Sequence, residues 1–500
     1  MGGAATTLRT RASGVFGPPA TASACANGGK STPPPPPDAY NLALDTDSYK
    51  VSHWLQYPPK TTRVFSYIES RGGRHPSTVF FGLQYMIKKQ LCRAVTRAEV
   101  ERAAELWTAH GLPFNKAGWL HVVDAHAGLL PLRVRAVPEG TVVPTGNVLV
   151  TVENTCDECF WCTSWVETSM LRVWYPITVA TESRHIKSIL KGALERSSDD
   201  DGREELDFKL HDFGARGVSS QESAAWGGAA HLVNFRGTDT FVAAVLLMRY
   251  YGATAMPGVS IPAAEHSTVT AWSRTGEEDA YRNMVRRFAR PGSLYAVVSD
   301  SYDIHAAVRD LWGTRLRDED VAAGGTLVVR PDSGVPHEIV LEVLRLLDEK
   351  FGSTVNSKGF KVLNTVRVIQ GDGVDASSIE KILATALEAG FSATNVAFGM
   401  GGALLQKHHR DVQKFAMKCS YVRTDGRDVD VYKDPVTDPG KRSKRGRLDL
   451  VRSARGEFET RVIPPGIDAL PDSALVTVYE NGALLRDFSL DEVRRNASVW

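Results

Sequence analysis

The residues best suited to chemistry stand where apolar runs give way to polar, glycine-rich loops. Leu327 to Gly334 (LVVRPDSG) is the sharpest case: β-branched residues stop at Arg330, and Pro331, Asp332, Ser333 and Gly334 follow. Val366 to Gly373 (VRVIQGDG) and Asn395 to Gly402 (NVAFGMGG) share this form, placing Gly371, Asp372, Gly373, Gly399, Gly401 and Gly402 at the ends of apolar runs. Backbone N–H groups at such turns, and the helix N-termini after them, cradle phosphate. A single glycine-rich turn is a weak signal, because tight turns need glycine in any case. Two of them plus RPDSG on successive runs point to phosphate binding. Arg71, Arg410, Lys418 and Lys433 are candidate cations for such a ligand, although a lone surface Lys or Arg is ordinarily solvated. His266 in Pro262 to Ser267 (PAAEHS) and Asp239 in Gly237 to Thr240 (GTDT) would by themselves default to a structural histidine and a capping carboxylate. The sequence holds no P-loop, HExxH, GxSxG elbow or GxGxxG turn after an apolar run.

These loops need strands before them and helices after them. His337 to Lys350 has apolar residues at Ile339, Val340, Val343, Leu344 and Leu347, the spacing of one helix face, and Asp332 or Ser333 is placed to cap it. Ala376 to Glu388 is a second helical pattern after QGDG. Tyr295 to Asp303 (YAVVSDSYD) and Phe208 to Gly217 (FKLHDFGARG) also run from apolar stretch to polar tip. Repeated units of this kind predict a parallel sheet or an α/β barrel with its chemistry at the carboxyl ends of the strands. Upstream, Asp47 or Ser48 would cap a helix start, Arg63 to Ser70 alternates like a strand, and Val79 to Cys92 reads as an amphipathic helix. Arg133 to Val152 reads as two or three short strands, and residues 160–195 as mostly helical.

Five hundred residues suffice for a large core and two domains. Net charge is +1, so no global field draws the chain to nucleic acid or membrane, and no apolar run nears a membrane span of roughly 18 residues. The basic run Lys441 to Arg447 (KRSKRGR) has the composition of a nucleic-acid patch, which the near-neutral charge argues against as the main function. Of six cysteines, Cys156, Cys159 and Cys162 (CDECFWC) are spaced like part of an iron–sulfur or zinc site. No fourth ligand lies nearby in the sequence, so the expectation is buried, small hydrophobic thiols in a reducing compartment. Residues 1–37 lack Asp and Glu and hold five consecutive prolines; they read as a disordered tail, or as an organelle transit segment.

Longer motifs then agree collinearly. DTDSYK (45–50), FGLQY (81–85), WYPITVAT (174–181), KLHDFGARGVSS (209–220), HLVNFRGTDT (231–240), PAAEHSTVTAW (262–272), VVSDSYD (297–303), RPDSG (330–334), QGDGVD (370–375) and KDPVTDP (433–439) make a chain that resembles the nicotinamide phosphoribosyltransferase family from Tyr40 to its end. The resemblance implies an α/β barrel of the type II phosphoribosyltransferase kind (176–404) with a second mixed α/β domain built from N- and C-terminal segments (39–175 with 405–500), after a tail at 1–38. It implies a cytoplasmic homodimer with shared active sites, organellar if the tail is a transit segment. The implied substrates are nicotinamide and phosphoribosyl pyrophosphate with Mg²⁺, whose ligands stay unassigned. ATP is the implied stimulatory co-substrate.

By resemblance, Phe213 and Arg330 would sandwich the pyridine ring and Asp239 would accept its amide N–H, with Asp47, Tyr49 (from the partner subunit) and Arg216 nearby. Asp332, Gly371 and Asp372 would hold the ribose end, and Gly401, Gly402, Arg71, Arg410 and Lys418 the phosphates. His266 would take a phosphoryl group from ATP, with Asp303 matching the orienting aspartate, and Lys433, Lys441 and Arg447 would hold ATP phosphates. The chain departs from the family pattern in a shorter loop after Arg71, in Met400 and Ala403, and in Ala416 where a serine hydroxyl is common. A nicotinate-specific enzyme of the same fold, and a non-catalytic signalling protein that keeps it, are the rival readings.

Overall fold

The computed structural model describes residues 40–438 and 441–499, so the expectations for residues 1–38 lie outside the described residues. Six strands form a parallel sheet in the order Gly237–Thr238, Leu210–Asp212, Val396–Met400, Val366–Gln370, Thr326–Arg330, Leu294–Val298. Its central strands (VAFGM at Val396–Met400, VRVIQ at Val366–Gln370, TLVVR at Thr326–Arg330) are mostly apolar because helices cover one face and the inward side chains meet one another on the other. Pro336–Phe351 buries the predicted Ile339, Val340, Val343, Leu344 and Leu347, and Ala376–Glu388 buries Ile379, Ile382, Leu383 and Ala386. The segment from Val259 to Ala263 forms parallel bridges to both edge strands, through Gly237 on one side and Ala296 on the other. It joins the two edges of the curled sheet, and it leads straight into His266.

Two local expectations differ. Asp332 and Ser333 do not cap Pro336–Phe351: the N-cap is Val335, with Pro336 in the first turn, where a missing N–H costs nothing. Val79 to Cys92 is not one helix. Ser77–Val79 is a strand, Gly82 turns the chain in a left-handed conformation, and Leu83–Met86 and the π-helical Ile87–Leu91 follow.

A second, antiparallel sheet runs in the order Arg427–Asp430, Phe415–Thr424, Thr61–Ser70, Val148–Asn154, Leu132–Ala136, Val476–Glu480, Ala483–Leu484. Strands from both ends of the chain therefore share one sheet. The long helix Trp174–Ser197 packs on the Ser77–Val79 strand and on the helix Gln221–His231 that follows the first barrel strand. Among the described residues no helix is long and apolar enough to cross a membrane.

The turn at Gly82 is pinned by a buried carboxylate. Glu139 accepts from the backbone N–H of Gly82 (2.8 Å) and Gln84 (2.7 Å) and from the Tyr251 hydroxyl (2.9 Å). Burial pushes its pKa up to about 7 against the pull of those donors. Replacing the side chain strands two backbone donors in the core. Glu139→Ala is expected to lower unfolding stability by about 3 kcal/mol, from unsatisfied buried groups at ~1–3 kcal/mol each, read by chemical denaturation.

Candidate functional site

Every strand of the barrel ends on the same side, and the polar residues gather there. Phe213 follows the strand ending at Asp212, Asp239 the one ending at Thr238, Gly401 and Gly402 the one ending at Met400, Gly371 and Asp372 the one ending at Gln370, Asp332 the one ending at Arg330, and Asp300 the one ending at Val298. Asp300, Asp332 and Asp372 thus stand at the ends of three neighbouring strands, a set of hard oxygens of the kind Mg²⁺ takes.

Phe213 and Arg330 face each other across two intervening strands. The Arg330 guanidinium carbon lies 5.7 Å from the centre of the Phe213 ring. Each lies across a glycine of an intervening strand. A Cβ on Gly399 would stand 1.9 Å from Phe213 Cε2, and one on Gly371 would stand 3.0 Å from Arg330 Nε. The glycines at these strand ends are therefore needed by the side chains that cover them, a use the phosphate reading did not anticipate. Asp332 fixes the guanidinium from Nε (3.1 Å) and Nη2 (2.6 Å), while Ala296, Val328 and Ile369 support the Phe213 ring from inside the barrel. Below it a cavity of about 490 Å³ opens between Val328, Ile369, Ala397, Ile261 and His211.

Asp239 flanks Phe213 because its N–H pairs with the Asp212 carbonyl at 2.9 Å. Its carboxylate is exposed and accepts from Ser260 Oγ at 2.5 Å, Ser260 coming from the segment that joins the barrel's edges. Asp212, unmarked in the sequence reading, is fully buried behind them. It accepts from the Gly214 N–H at 2.7 Å, and burial raises its pKa to about 6.

His266 is not a satisfied core histidine. It is half exposed at the end of the joining segment, and its Nε2 lies 2.9 Å from Asp300 Oδ1 while Nδ1 faces Asp332 Oδ2 at 3.9 Å. Asp300, rather than Asp303, is the carboxylate against it. Asp303 instead caps the following helical turn, accepting from the N–H groups of His305 and Ala306. The reason is positional: Asp300 lies two residues beyond the strand, as Asp332 does beyond its own, whereas Asp303 has already reached the next helix. Asp300 also accepts from Ser333 Oγ (2.6 Å) and the Asp332 N–H (3.1 Å). Burial works against its ionised form, yet Ser333, His266 and the Asp332 N–H outweigh it and hold the carboxyl below the ordinary range.

Of the candidate cations, Lys418 lies on a strand of the second sheet, while Arg71 directly follows the strand Thr61–Ser70 and Arg410 opens the short turn Arg410–Val412. Lys418, half-buried on the strand Phe415–Thr424, has its pKa lowered by burial and by Arg71, Arg410 and Lys50, with Glu167 opposing. Those like charges crowd one spot. Ala416 shares the face of Lys418 two residues away and is buried, and Met400 is a buried strand residue. Arg216 is exposed in the loop after Phe213. Asp47 accepts from Thr168 Oγ1 at 2.7 Å, and Tyr49 is 61% exposed with its ring against His53 and Lys50 Nζ. Lys433 is exposed, with its backbone N–H on Ser443, and Lys441 pairs with Asp438. Arg447 is engaged elsewhere, by the Ile467 carbonyl, Asp468 and Glu153.

Residues 208–466 match the nicotinate phosphoribosyltransferase family, and residues 41–134 the N-terminal domain of nicotinamide phosphoribosyltransferase. The chain is 59% identical, over 92% of its length and 98% of the relative's, to a nicotinamide phosphoribosyltransferase of Xanthomonas campestris pv. campestris. It is 31% identical to one of Acinetobacter baylyi, over 90% of this chain and 95% of the relative. Its fold is similar to those of the nicotinate-nucleotide pyrophosphorylase of Pyrococcus furiosus (TM-score 0.57, 15% identity, 91% and 94% coverage) and human nicotinic acid phosphoribosyltransferase (TM-score 0.52, 18% identity, 91% and 93% coverage). The architecture is that of the type II phosphoribosyltransferases.

The packing of Phe213 on Gly399 gives a direct test. Gly399→Ala drives a methyl into the ring, so it should displace Phe213 from Arg330 and cost about 1–3 kcal/mol of stability, the ordinary price of overpacking. Denaturation and a crystal structure of the variant check both; unchanged stability with Phe213 in place would refute the contact.

Proposed function

The chain belongs to the nicotinamide phosphoribosyltransferases of the nicotinate phosphoribosyltransferase family, and we propose that it joins nicotinamide to phosphoribosyl pyrophosphate, giving nicotinamide mononucleotide and pyrophosphate in NAD salvage. The observation that carries this reading is Arg330 stacked over Phe213 with the Asp239 carboxylate at the adjoining strand end. A planar ring between two faces, with an acceptor at its rim, is recognition of an aromatic amide. A ring inserted there needs about 7 Å, two contacts of roughly 3.5 Å, so Arg330 swings outward by about an ångström to admit it.

The pyridine nitrogen brings its own lone pair, so no general base is required. The bond from nitrogen to the anomeric carbon forms as the bond to pyrophosphate breaks. What the protein supplies is alignment and charge. Phe213 and Arg330 hold the ring in register. Asp332 and Gly371 hold the ribose hydroxyls, and Gly401, Gly402, Arg71, Arg410 and Lys418 meet the phosphates. Asp332 and Asp372 would hold Mg²⁺, which would neutralise charge on the leaving pyrophosphate. In a homodimer the exposed Tyr49 of one subunit would reach the ring site of the other.

Asp239 decides the substrate. It accepts the amide N–H of nicotinamide, and it repels the carboxylate of nicotinate at the same place. Asp239→Ala is expected to lower kcat/KM for nicotinamide about tenfold or more, a charge-assisted bond being worth ~1.5–3 kcal/mol, and to raise nicotinate use relative to it. Steady-state assays with each base read this out, and an unchanged ratio removes the acceptor role. If the parent itself prefers nicotinate, the fold stands and the substrate is nicotinate; a folded protein with no product from either base would be the signalling reading.

ATP stimulation would act through His266. Asp300 takes the Nε2–H and leaves Nδ1, on the Asp332 side, free to attack the γ-phosphorus; the N–P bond forms as ADP departs. Lys433 and Lys441 would meet the ATP phosphates, whereas Arg447 is held by acids and a carbonyl away from them. His266→Ala and Asp300→Ala should both lose stimulation by ATP, while Asp303→Ala keeps it and loses about 1 kcal/mol of stability as a helix cap. Initial rates with and without ATP separate them; undiminished stimulation in His266→Ala would place the phosphoryl acceptor elsewhere.

A further inference from the structure

The thiols of CDECFWC have partners that the sequence did not show. The side chains of Cys156, Cys159, His121 and His126 converge so that one ligand atom from each lies within 4.8 Å of all the others. Cys156 Sγ is 3.6 Å from His121 Nε2, and the two imidazole centres are 5.4 Å apart. His126 Nε2 is buried without a hydrogen-bond partner among the described residues. A buried ring nitrogen aimed at two thiols and a second imidazole is a costly arrangement unless something accepts its lone pair.

We propose that these four residues bind a structural zinc ion. Two thiolates and two imidazoles are the soft and borderline donors that select Zn²⁺ over Mg²⁺. Tetrahedral zinc with these ligands places their donor atoms about 3.3–3.8 Å apart, and the Cys156–His121 distance already falls in that range. Four protein ligands close the coordination sphere, so the ion is a clamp and not a catalyst. Binding replaces the two thiol protons, which leave to solvent, with one divalent cation. Cys162 is fully buried one helical turn beyond and belongs to the core.

The backbone explains why the four residues meet. Leu132–Ala136 and Val148–Asn154 are antiparallel with Leu132 opposite Asn154, and the Thr155 N–H bonds to the Pro131 carbonyl. The chain just before the first strand is therefore beside the chain just after the second. His121 stands midway along the helix Lys116–Ala125 and His126 caps its C-terminus, while Cys156 caps and Cys159 ends the short turn at Asp157–Cys159. Beyond the turn, Trp161 packs tilted and Trp165 edge-on against the buried Trp119. The Trp165 carbonyl accepts from Thr46 Oγ1, and its Nε1 donates to the Leu42 carbonyl. The zinc clamp thus stands under the segment that carries Asp47 and Tyr49.

The test uses the full-length protein. Metal analysis of protein from zinc-supplemented cells should find one zinc per chain, released by a thiol-modifying reagent. After chelator treatment, added Co²⁺ should give the intense visible bands of a tetrahedral ion with thiolate charge transfer in the near ultraviolet. Cys156→Ser and His126→Ala should each lose both signals, and Cys92→Ser, away from the cluster, should keep them. Chelation should also lower the unfolding temperature of the parent and not of His126→Ala. Absence of zinc together with no cobalt spectrum in the parent overturns the proposal, even if a variant fails to fold. So does a Cys156–Cys159 disulfide in freshly prepared protein, or zinc retained by both variants. Because the readout is metal content, its failure is distinct from failure of the nicotinamide reading.

Discussion

The site hangs on the carboxylate of Asp300. Three donors converge on it: His266 at the end of the segment that joins the barrel's edges, and Ser333 and the Asp332 N–H in the loop after Arg330. One ionised group thereby ties the strand Leu294–Val298 to both of its neighbours at the carboxyl end. Through Asp332 the tie extends to Arg330, whose guanidinium is then set over Phe213. A neutral side chain at 300 accepts such bonds less strongly, since charge-assisted bonds are roughly twice as strong as neutral ones. The barrel brings these residues to one rim; the carboxylate decides their angles.

The sequence announced the rim well and its wiring poorly. The strands ending at Val298, Arg330, Gln370 and Met400 and the helices Pro336–Phe351 and Ala376–Glu388 were legible because apolar runs buried in the sheet end where polar loops begin, and because each of these helices keeps a single apolar stripe. Ala376–Glu388 falls where its pattern places it. What failed were choices set by distant partners. Val79 to Cys92 looked like a helix because nothing local reveals that Glu139 holds Gly82 in a left-handed turn. Asp332 and Ser333 looked like caps because their true partner, Asp300, lies on another strand. The family resemblance points to Asp303, whereas Asp300 keeps the same distance from its strand end as Asp332, the one local clue available. His121 and His126 were invisible as partners of Cys156 and Cys159, since only the pairing of two antiparallel strands brings them together.

The two sheets divide the work by the kind of strand they contain. Parallel strands all deliver their carboxyl ends to one rim, so carboxylates, glycines and the ring stack collect there with no strand left to pair with. Antiparallel strands offer no such rim and present side chains on a face instead, and it is on such a face that Lys418 stands. This explains why Lys418 was weak as a candidate in the sequence: no turn marks it, only alternation along Phe415–Thr424.

The crowding around Lys418 has an energetic meaning for the proposed reaction. Burial and the neighbouring Arg71, Arg410 and Lys50 all disfavour its charge, with Glu167 as the opposing carboxylate. Glu167 is already shared, since Lys50 Nζ sits on it at 2.7 Å. The protein without substrate therefore holds a set of cations whose mutual repulsion is only partly offset, and an anion placed among them removes that cost on binding. The gain grows as charge leaves the sugar and gathers on pyrophosphate, which is when it lowers a barrier instead of merely tightening the complex. Ala416, on the same face, contributes no hydroxyl. A hydroxyl there would bind the phosphate alike before and after bond breaking, so its loss weakens affinity by about 1 kcal/mol at most and leaves the work of the transition state to the cations.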